Sequence, residues 1–199
     1  LREGFRWNIL KHVGRRVPCK RKTPFVNLGV HTPYELLNAS GDVSQWVRKA
    51  VWMGHSALGI CDRNTMGATL ALQKACDKAG IRPIIGYTCT LSHEGEKVEV
   101  KIYCQSQRGL RNLLRIQKAV MVDAADATVP LPELLRRGEG NVLVFGKLSP
   151  FWMEKNLHAV KALRETFDNV FYQVDLSEYK AERLDAEVLK ATAYFFHTF

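Results

Sequence analysis

Side chains that could do chemistry directly follow several apolar runs of the sequence. His31 follows FVNLGV, Asp62 and Arg63 follow SALGIC, and Lys147 follows NVLVFG. Imidazole and carboxylate groups bind divalent metal ions, whereas guanidinium and ammonium groups bind anions such as phosphate. Side chains able to bind metal ions or anions therefore stand directly after these runs.

These runs are predicted to be β-strands that alternate with α-helices. Residue composition and spacing predict strands at 25–30, 56–61, 81–91, 98–104, 141–146 and 169–176. Helices are predicted from Asp42 to Gly54 and at 66–80, 108–121, 131–137, 151–167 and 178–196. The alternation predicts right-handed βαβ units and therefore an α/β fold with a mainly parallel sheet or barrel.

The carboxyl ends of parallel strands meet at one rim, where ligands of such folds bind. The predicted ends are Gly29–His31, Cys61–Asn64, Gly86–Thr88 and Gly146–Lys147. We therefore expect any catalytic centre at these positions.

Positive charge is concentrated at the start of the chain. The net charge is +9, and residues 1–24 carry eight Lys or Arg against Glu3 alone. We predict a basic arm over residues 1–24 and a barrel domain over 25–199. The arm could bind nucleic acid through Arg15, Arg16, Lys20, Arg21 and Lys22, or it could be a solvated segment.

Cysteine spacing and hydropathy favour a reducing, aqueous environment. The five cysteines include no CxxC pair, which argues against a disulfide framework and a zinc knuckle. No uncharged apolar run approaches the roughly 18 residues that a membrane span needs. The sequence therefore predicts a cytoplasmic protein with reduced thiols and no membrane partner.

Four stretches, in order between residues 24 and 190, carry a family resemblance. They are FVNLGVHTPYELLNA, HSALGICDRNTMGATLALQKACDKAGIRPIIGYTCTL, QRGLRNLLRIQ and FDNVFYQVDL. They resemble the polymerase and histidinol phosphatase (PHP) domain of bacterial DNA polymerase III alpha subunits. The resemblance implies an irregular (βα)7-type barrel, here expected to lack its last strand, with a metal cluster at the strand ends.

The resemblance also places the family's metal ligands on this chain. His31 and Asp62 match ligands, and Glu99 stands where a histidine is expected. The remaining positions carry residues of other types, namely Gly29, Arg63, Thr88 and Lys147. The family's final Asp-x-His would fall beyond residue 199.

Two of these replacements, Arg63 and Lys147, introduce positive charge where metal ions would bind. At about 4 Å and an effective dielectric constant near 20, a single unit-charge repulsion costs about 4 kcal/mol. We therefore expect the cluster to be lost, with His31, Asp62 and Glu99 as its remnant and Arg63 paired with Asp62 or Glu99. The alternatives are a single Zn, Mn or Mg ion at the remnant, or an anion held by Arg63 and Lys147.

Three functions follow from the resemblance and from the charge. The first is a non-catalytic structural and docking domain of a DNA-replicating polymerase, itself a nucleotidyltransferase, with no cofactor. Its partners would be DNA, other replicase domains or subunits, and a proofreading exonuclease. The second is a metal-dependent phosphoesterase or 3′–5′ exonuclease, and the third is a DNA-binding module built on the arm.

His93 and His158 are predicted to be ordinary surface histidines.

Overall fold

The computed structural model describes residues 25–146 and 149–173. The predicted basic arm (1–24), with Arg15, Arg16, Lys20, Arg21 and Lys22, lies outside the described residues. The same holds for Lys147 and for the predicted helix at 178–196. Within the described ranges, no helix has both the length and the apolar character to cross a membrane.

In these ranges, seven strands form one curled sheet that makes up half of a barrel. They are β1 (Asn27–Val30), β2 (Ala57–Ile60), β3 (Arg82–His93), β4 (Glu96–Cys104), β5 (Thr128–Pro130), β6 (Asn141–Phe145) and β7 (Asn169–Tyr172). The order is β1-β2-β3-β4-β6-β7, and β5 pairs with β3. Of these seven, only β4 runs antiparallel to its neighbours, β3 and β6. The predicted α/β fold with a mainly parallel, barrel-type sheet is confirmed.

Six α-helices of the described segments connect the strands. They are α1 (Val43–Trp52), α2 (Thr69–Ala79), α3 (Gln107–Lys118), α4 (Leu131–Arg136), α5 (Pro150–Lys155) and α6 (Leu157–Thr166). Asp42 caps α1 through a capping box with Gln45. Gly80 ends α2 with a left-handed φ of 71°, as its C′ position predicts. A hairpin turn at Glu94 and Gly95 joins β3 to β4, as a Glu-Gly pair between two β-rich stretches predicts.

Three segments differ from the sequence prediction. Residues 151–167 form two helices, because Asn156 leaves the helical conformation at φ −115° and ψ 41° and its side chain donates to the Trp152 carbonyl at 2.8 Å and to Glu96 Oε2 at 3.2 Å. After α3 the chain continues as a π-helix, Ala119–Asp123. The short strand β5 was not predicted, since three residues are too few for a periodic pattern.

Two apolar cores hold these elements in place. In the larger one, β3, β4 and β6 pack against α3–α6 around fully buried residues such as Leu91, Ile102 and Leu143. In the smaller one, β1 and β2 pack against α1 and α2 through Val30, Ile60 and Leu72, among others. Burying one such side chain contributes about 1.5–3 kcal/mol. The smaller core fixes the ends of β1 and β2, where the candidate site lies.

Candidate functional site

The candidate site lies where β1 and β2 end side by side. These strands are parallel, and Val30 is paired with Ile60. The Cys61 amide extends the pairing by donating to the Val30 carbonyl at 3.0 Å. Because both strands end at the same edge of the sheet, the residues that follow them, His31 and Asp62, enter one rim.

Asp62 is held at this rim by two hydrogen bonds from Thr32. The side chain is 1% exposed. Its Oδ1 accepts from the Thr32 amide at 2.6 Å, and its Oδ2 accepts from the Thr32 hydroxyl at 2.5 Å. Burial raises the pKa of Asp62, and the bonds from Thr32 offset this only in part. Both carboxylate oxygens therefore already have protein partners.

Glu35 joins this group, although sequence analysis did not select it. Its Oε2 lies 2.6 Å from His31 Nδ1 and accepts from the Arg63 amide at 2.9 Å, while its Oε1 accepts from Asn38 at 2.8 Å. Burial alone would raise the pKa of Glu35, but these hydrogen bonds lower it below its usual value. The sequence offered one sign of this role, since Glu35 stands four residues after His31. Because the residues between them form a loop, this spacing alone does not place the two side chains together.

Arg63 forms an ion pair with Glu99, which is one of its two predicted partners. Both side chains are partly exposed, at 41% and 30%. Glu99 lies on β4, opposite Thr90, and its carbonyl accepts from the Gly146 amide at 3.0 Å. The positive charge of Arg63 is thus neutralised locally, and the Glu99 carboxylate is engaged by a cation.

Thr88 and Gly29 occupy the other two described positions of the predicted ligand set. Thr88 lies in the middle of β3, beside the end of β2, rather than at a strand end as predicted. Its buried hydroxyl donates to the Cys61 carbonyl at 2.8 Å. Gly29 has open space where a Cβ would stand, with nothing within 4 Å. Gly29 therefore has no side chain to bind a metal ion, and the Thr88 hydroxyl is already bonded to Cys61.

The comparison with family models decides the family. The model of the PHP domain matches residues 27–148, which is more than half of the chain and contains every residue described at this rim. The chain belongs to the PHP domain family. The resemblance inferred from the sequence motifs is therefore confirmed.

Curated relatives of this PHP domain are polymerase subunits. It is 33% identical to the DNA polymerase III subunit alpha of Bacillus subtilis over 99 residues, which are 48% of the chain and 9% of the relative. It is 30% identical to that of Staphylococcus epidermidis over 119 residues, which are 60% of the chain and 11% of the relative. The matches span about a tenth of the length of these relatives.

A solved structure supports the fold. A Bifidobacterium adolescentis protein described as a metal-dependent phosphoesterase superposes with a TM-score of 0.50. The match covers 85% of this chain and 83% of that one at 12% identity. At this level of identity, the likeness establishes the shared architecture of the PHP domain.

Among the described residues at the rim, one group of donor atoms could hold a metal ion. One ligand atom each of His31, Glu35 and Asp62 lies within 4.8 Å of the others. An imidazole with two carboxylates is a suitable donor set for a divalent ion. Among the described residues of the predicted set, Gly29 and Thr88 contribute no further ligand, and Glu99 is paired with Arg63.

Proposed function

We propose that this PHP domain belongs to a replicative DNA polymerase III alpha subunit and serves it as a structural and docking domain without its own metal-dependent chemistry. The relatives at 30–33% identity support the placement in such a subunit. The observation that carries the non-catalytic role is the internal bonding of the rim. Asp62 is bonded to Thr32, Glu35 to the Arg63 amide, and Glu99 to Arg63.

This bonding matters because a metal ion would have to compete with these donors or share the same carboxylate oxygens with them. Both Asp62 oxygens accept short hydrogen bonds, and each unsatisfied buried donor left behind costs about 1–3 kcal/mol. Hydrolytic PHP chemistry would further need a metal-bound water, whose pKa the ion lowers, and ligands on both sides of the phosphate. Among the described residues, the rim supplies one such group of three donors, His31, Glu35 and Asp62.

Metal content and nuclease activity test this proposal together. By mass spectrometry, the chain purified without chelators is expected to carry well under one equivalent of Zn, Mn or Fe that depends on His31. With Mn²⁺ or Zn²⁺ and a primer that has a mismatched 3′ end, it should release no nucleotides above the level of His31→Ala. Two or more tightly bound ions, or release that His31→Ala abolishes, would contradict the proposal.

The docking role has its own experiment. The proposed partners are other domains of the polymerase and a separate proofreading exonuclease. The chain and an exonuclease subunit from the same replicase are expected to elute together in size-exclusion chromatography. Independent elution at micromolar concentrations would exclude the exonuclease as a direct partner of this domain.

A metal-dependent phosphoesterase or exonuclease is the second candidate, favoured by the group of His31, Glu35 and Asp62. In that function a single Zn, Mn or Mg ion would bind these donors and activate a water for attack on a phosphodiester. Glu35→Gln separates the two candidates, because it removes a ligand charge while preserving the side-chain size. Metal-stimulated release that this variant reduces at least about tenfold would favour the phosphoesterase.

Contact with DNA is proposed on a different surface from the rim. Five arginines, hereafter the arginine cluster, surround a cavity of about 470 Å³ beside α3 and α4. They are Arg108, Arg111, Arg115, Arg136 and Arg137. Glu133 and Glu139 pair with three of them. Arg111 and Arg115 are exposed and have no acidic partner among the described residues.

Guanidinium groups in such a cluster suit the phosphate oxygens of a nucleic-acid backbone. Arg108, Arg111 and Arg115 share one face of α3 at spacings of three and four residues. The cluster adjoins the start of β6, at Asn141, whereas the rim adjoins its end, at Gly146. A DNA backbone bound there would therefore leave the rim free. The basic arm stays a separate prediction of the same kind.

A further inference from the structure

Two histidines far apart in sequence meet at the tip of the β3–β4 hairpin. His93 is the last residue of β3, and His158 lies in the first turn of α6. Their Nε2 atoms are 3.2 Å apart. The carboxylate of Glu94, in the hairpin turn, lies 3.8 Å from His93 Nε2. The three ligand atoms all lie within 4.8 Å of one another.

We propose that His93, His158 and Glu94 form a surface site for a divalent transition-metal ion of the zinc class. Zinc binds imidazole nitrogens at about 2.0–2.1 Å in tetrahedral geometry, which places two such nitrogens roughly 3.3 Å apart. The observed Nε2–Nε2 distance of 3.2 Å matches this separation. Two imidazoles and a carboxylate complete three positions of the tetrahedron and leave the fourth to water.

The surroundings hold the two imidazoles in this arrangement without a metal. His93 is 16% exposed, and its ring packs edge-on against Trp152, with centroids 6.2 Å apart. Glu96, its cross-strand partner, receives hydrogen bonds from Lys155 and Asn156, just before α6. The hairpin tip and the start of α6 are therefore already joined. Glu94 is 68% exposed, so its carboxylate can approach an ion by side-chain rotation.

The site is separate from the rim. Thr88, beside the end of β2, and His93 are five residues apart along β3, or roughly 16 Å at the usual rise per strand residue. No residue of the proposed hydrolytic group takes part in it. An ion bound there would link the hairpin to α6 and stabilise their contact, because a ligand that binds only the folded state favours that state.

A direct hydrogen bond between the two rings is the competing explanation. One neutral imidazole can donate to the other at 3.2 Å, with no ion between them. The two explanations differ in one measurable respect. A hydrogen-bonded pair predicts no saturable metal binding that depends on both histidines, whereas the proposed site requires it.

Calorimetric titration of the full chain with Zn²⁺ at about pH 7.5 tests the proposal. The matched variants are His158→Gln and Glu94→Gln at this site, and His31→Gln at the rim. His158 and Glu94 are exposed, so these changes should leave folding intact. We expect one saturable Zn²⁺ site that His158→Gln weakens at least about tenfold and His31→Gln leaves unchanged.

Copper provides a second readout at the same position. Cu²⁺ bound between the histidines should quench the fluorescence of the nearby Trp152, with saturation at one equivalent in the parent chain. His158→Gln should remove this saturable component, and His31→Gln should retain it. Equal Zn²⁺ affinity and equal quenching in the parent and in His158→Gln would overturn the proposal.

Discussion

At the scale of single residues, the two buried carboxylates of the rim have opposite pKa shifts. Burial is the larger influence on Asp62 and raises its pKa. Glu35 is also buried, but hydrogen bonds from the Arg63 amide, His31 and Asn38 together outweigh burial and lower its pKa. Ionised Glu35 therefore stabilises the fold, whereas the burial of ionised Asp62 lowers the stability of the folded state.

This difference predicts how Glu35→Gln changes stability with pH. Because the folded-state pKa of Glu35 lies below its ordinary 4.5, its contribution is present above that value and is lost as pH falls through the folded-state pKa. In the presence of a chelator, the variant should be less stable than the parent by about 1–3 kcal/mol at about pH 6. Urea unfolding should show this gap narrowing as the pH falls below about 4.5. A gap independent of pH would contradict the assignment.

Gly29 offers a gain-of-binding test of the missing ligand. The resemblance to the PHP pattern places a histidine at this position, and apart from the chain neighbours nothing lies within 4 Å of a Cβ built on Gly29. Residue 29 stands two positions before His31, a spacing that places side chains on one face where the backbone stays extended. Gly29→His should therefore raise the affinity for Zn²⁺ or Mn²⁺ at least about tenfold by calorimetry. Gly29→Ala is the matched control, and equal affinities in both variants would argue against a usable remnant at the rim.

Sequence motifs located His31 and Asp62 but could not supply Glu35. The first two follow recognisable strands, and the sheet brings strand ends together by its topology. Glu35 lies in a loop whose conformation is set by contacts across the chain, including the Arg63 amide 28 residues away. Sequence left two possible partners for Arg63, namely Asp62 and Glu99, because it gives no distance between the strands β2 and β4.

At the scale of secondary-structure elements, the start of α3 depends on a close approach of two backbones. The hydroxyl of Ser106 caps the helix by accepting from the Gly109 amide at 3.0 Å. A Cβ on Gly109 would overlap the Gly140 carbonyl oxygen. Only glycine allows α3 to pack this closely on the turn that leads into β6.

Gly109→Ala should therefore destabilise the chain, although alanine is the better helix former. Relief of the clash requires α3 or the Gly140 turn to shift, which costs about 1–3 kcal/mol or more. Urea unfolding measures this loss, with Gly29→Ala as the control substitution in open space. A Gly109→Ala chain as stable as Gly29→Ala would show that the approach is not maintained in solution.

Most elements were predictable because their signals are local. Apolar spacing, the Gly80 cap and the Glu-Gly turn each reflect interactions within a few residues. The break at Asn156 is not local, since it depends on a hydrogen bond to Glu96, 60 residues earlier. Strand β5 likewise exists only through its pairing with the end of β3.

At the scale of the whole molecule, strand–helix alternation predicted the barrel-type sheet, and the Glu-Gly turn between β3 and β4 predicted the hairpin that reverses β4. The hairpin turns β4 antiparallel, so it separates the parallel pairs β1–β2–β3 from β6–β7. Glu99 reaches Arg63 from this reversed strand. The same hairpin carries His93 away from the rim, which separates the two groups of histidine and carboxylate ligands on one molecule.

The last prediction concerns where positive charge lies on the molecule. The sequence places the excess of positive charge in the basic arm, and the structure adds the arginine cluster. Arg111→Gln/Arg115→Gln removes the two exposed arginines of the cluster without acidic partners among the described residues. If each of them neutralises one phosphate of duplex DNA, each substitution should reduce the slope of log affinity against log salt by about 0.9.

The double variant should therefore bind a primer–template duplex more weakly, with a slope smaller by about 2, in fluorescence anisotropy at several salt concentrations. Lys74→Gln/Lys78→Gln is the matched control, because it removes the same charge from exposed positions of α2 outside the cluster. If both double variants lower the affinity equally, net charge alone governs binding and the cluster does not bind DNA. If only the arginine variant binds DNA more weakly, the DNA backbone binds to the face of α3 that carries the arginine cluster. This face adjoins the start of β6, whereas the rim adjoins its end.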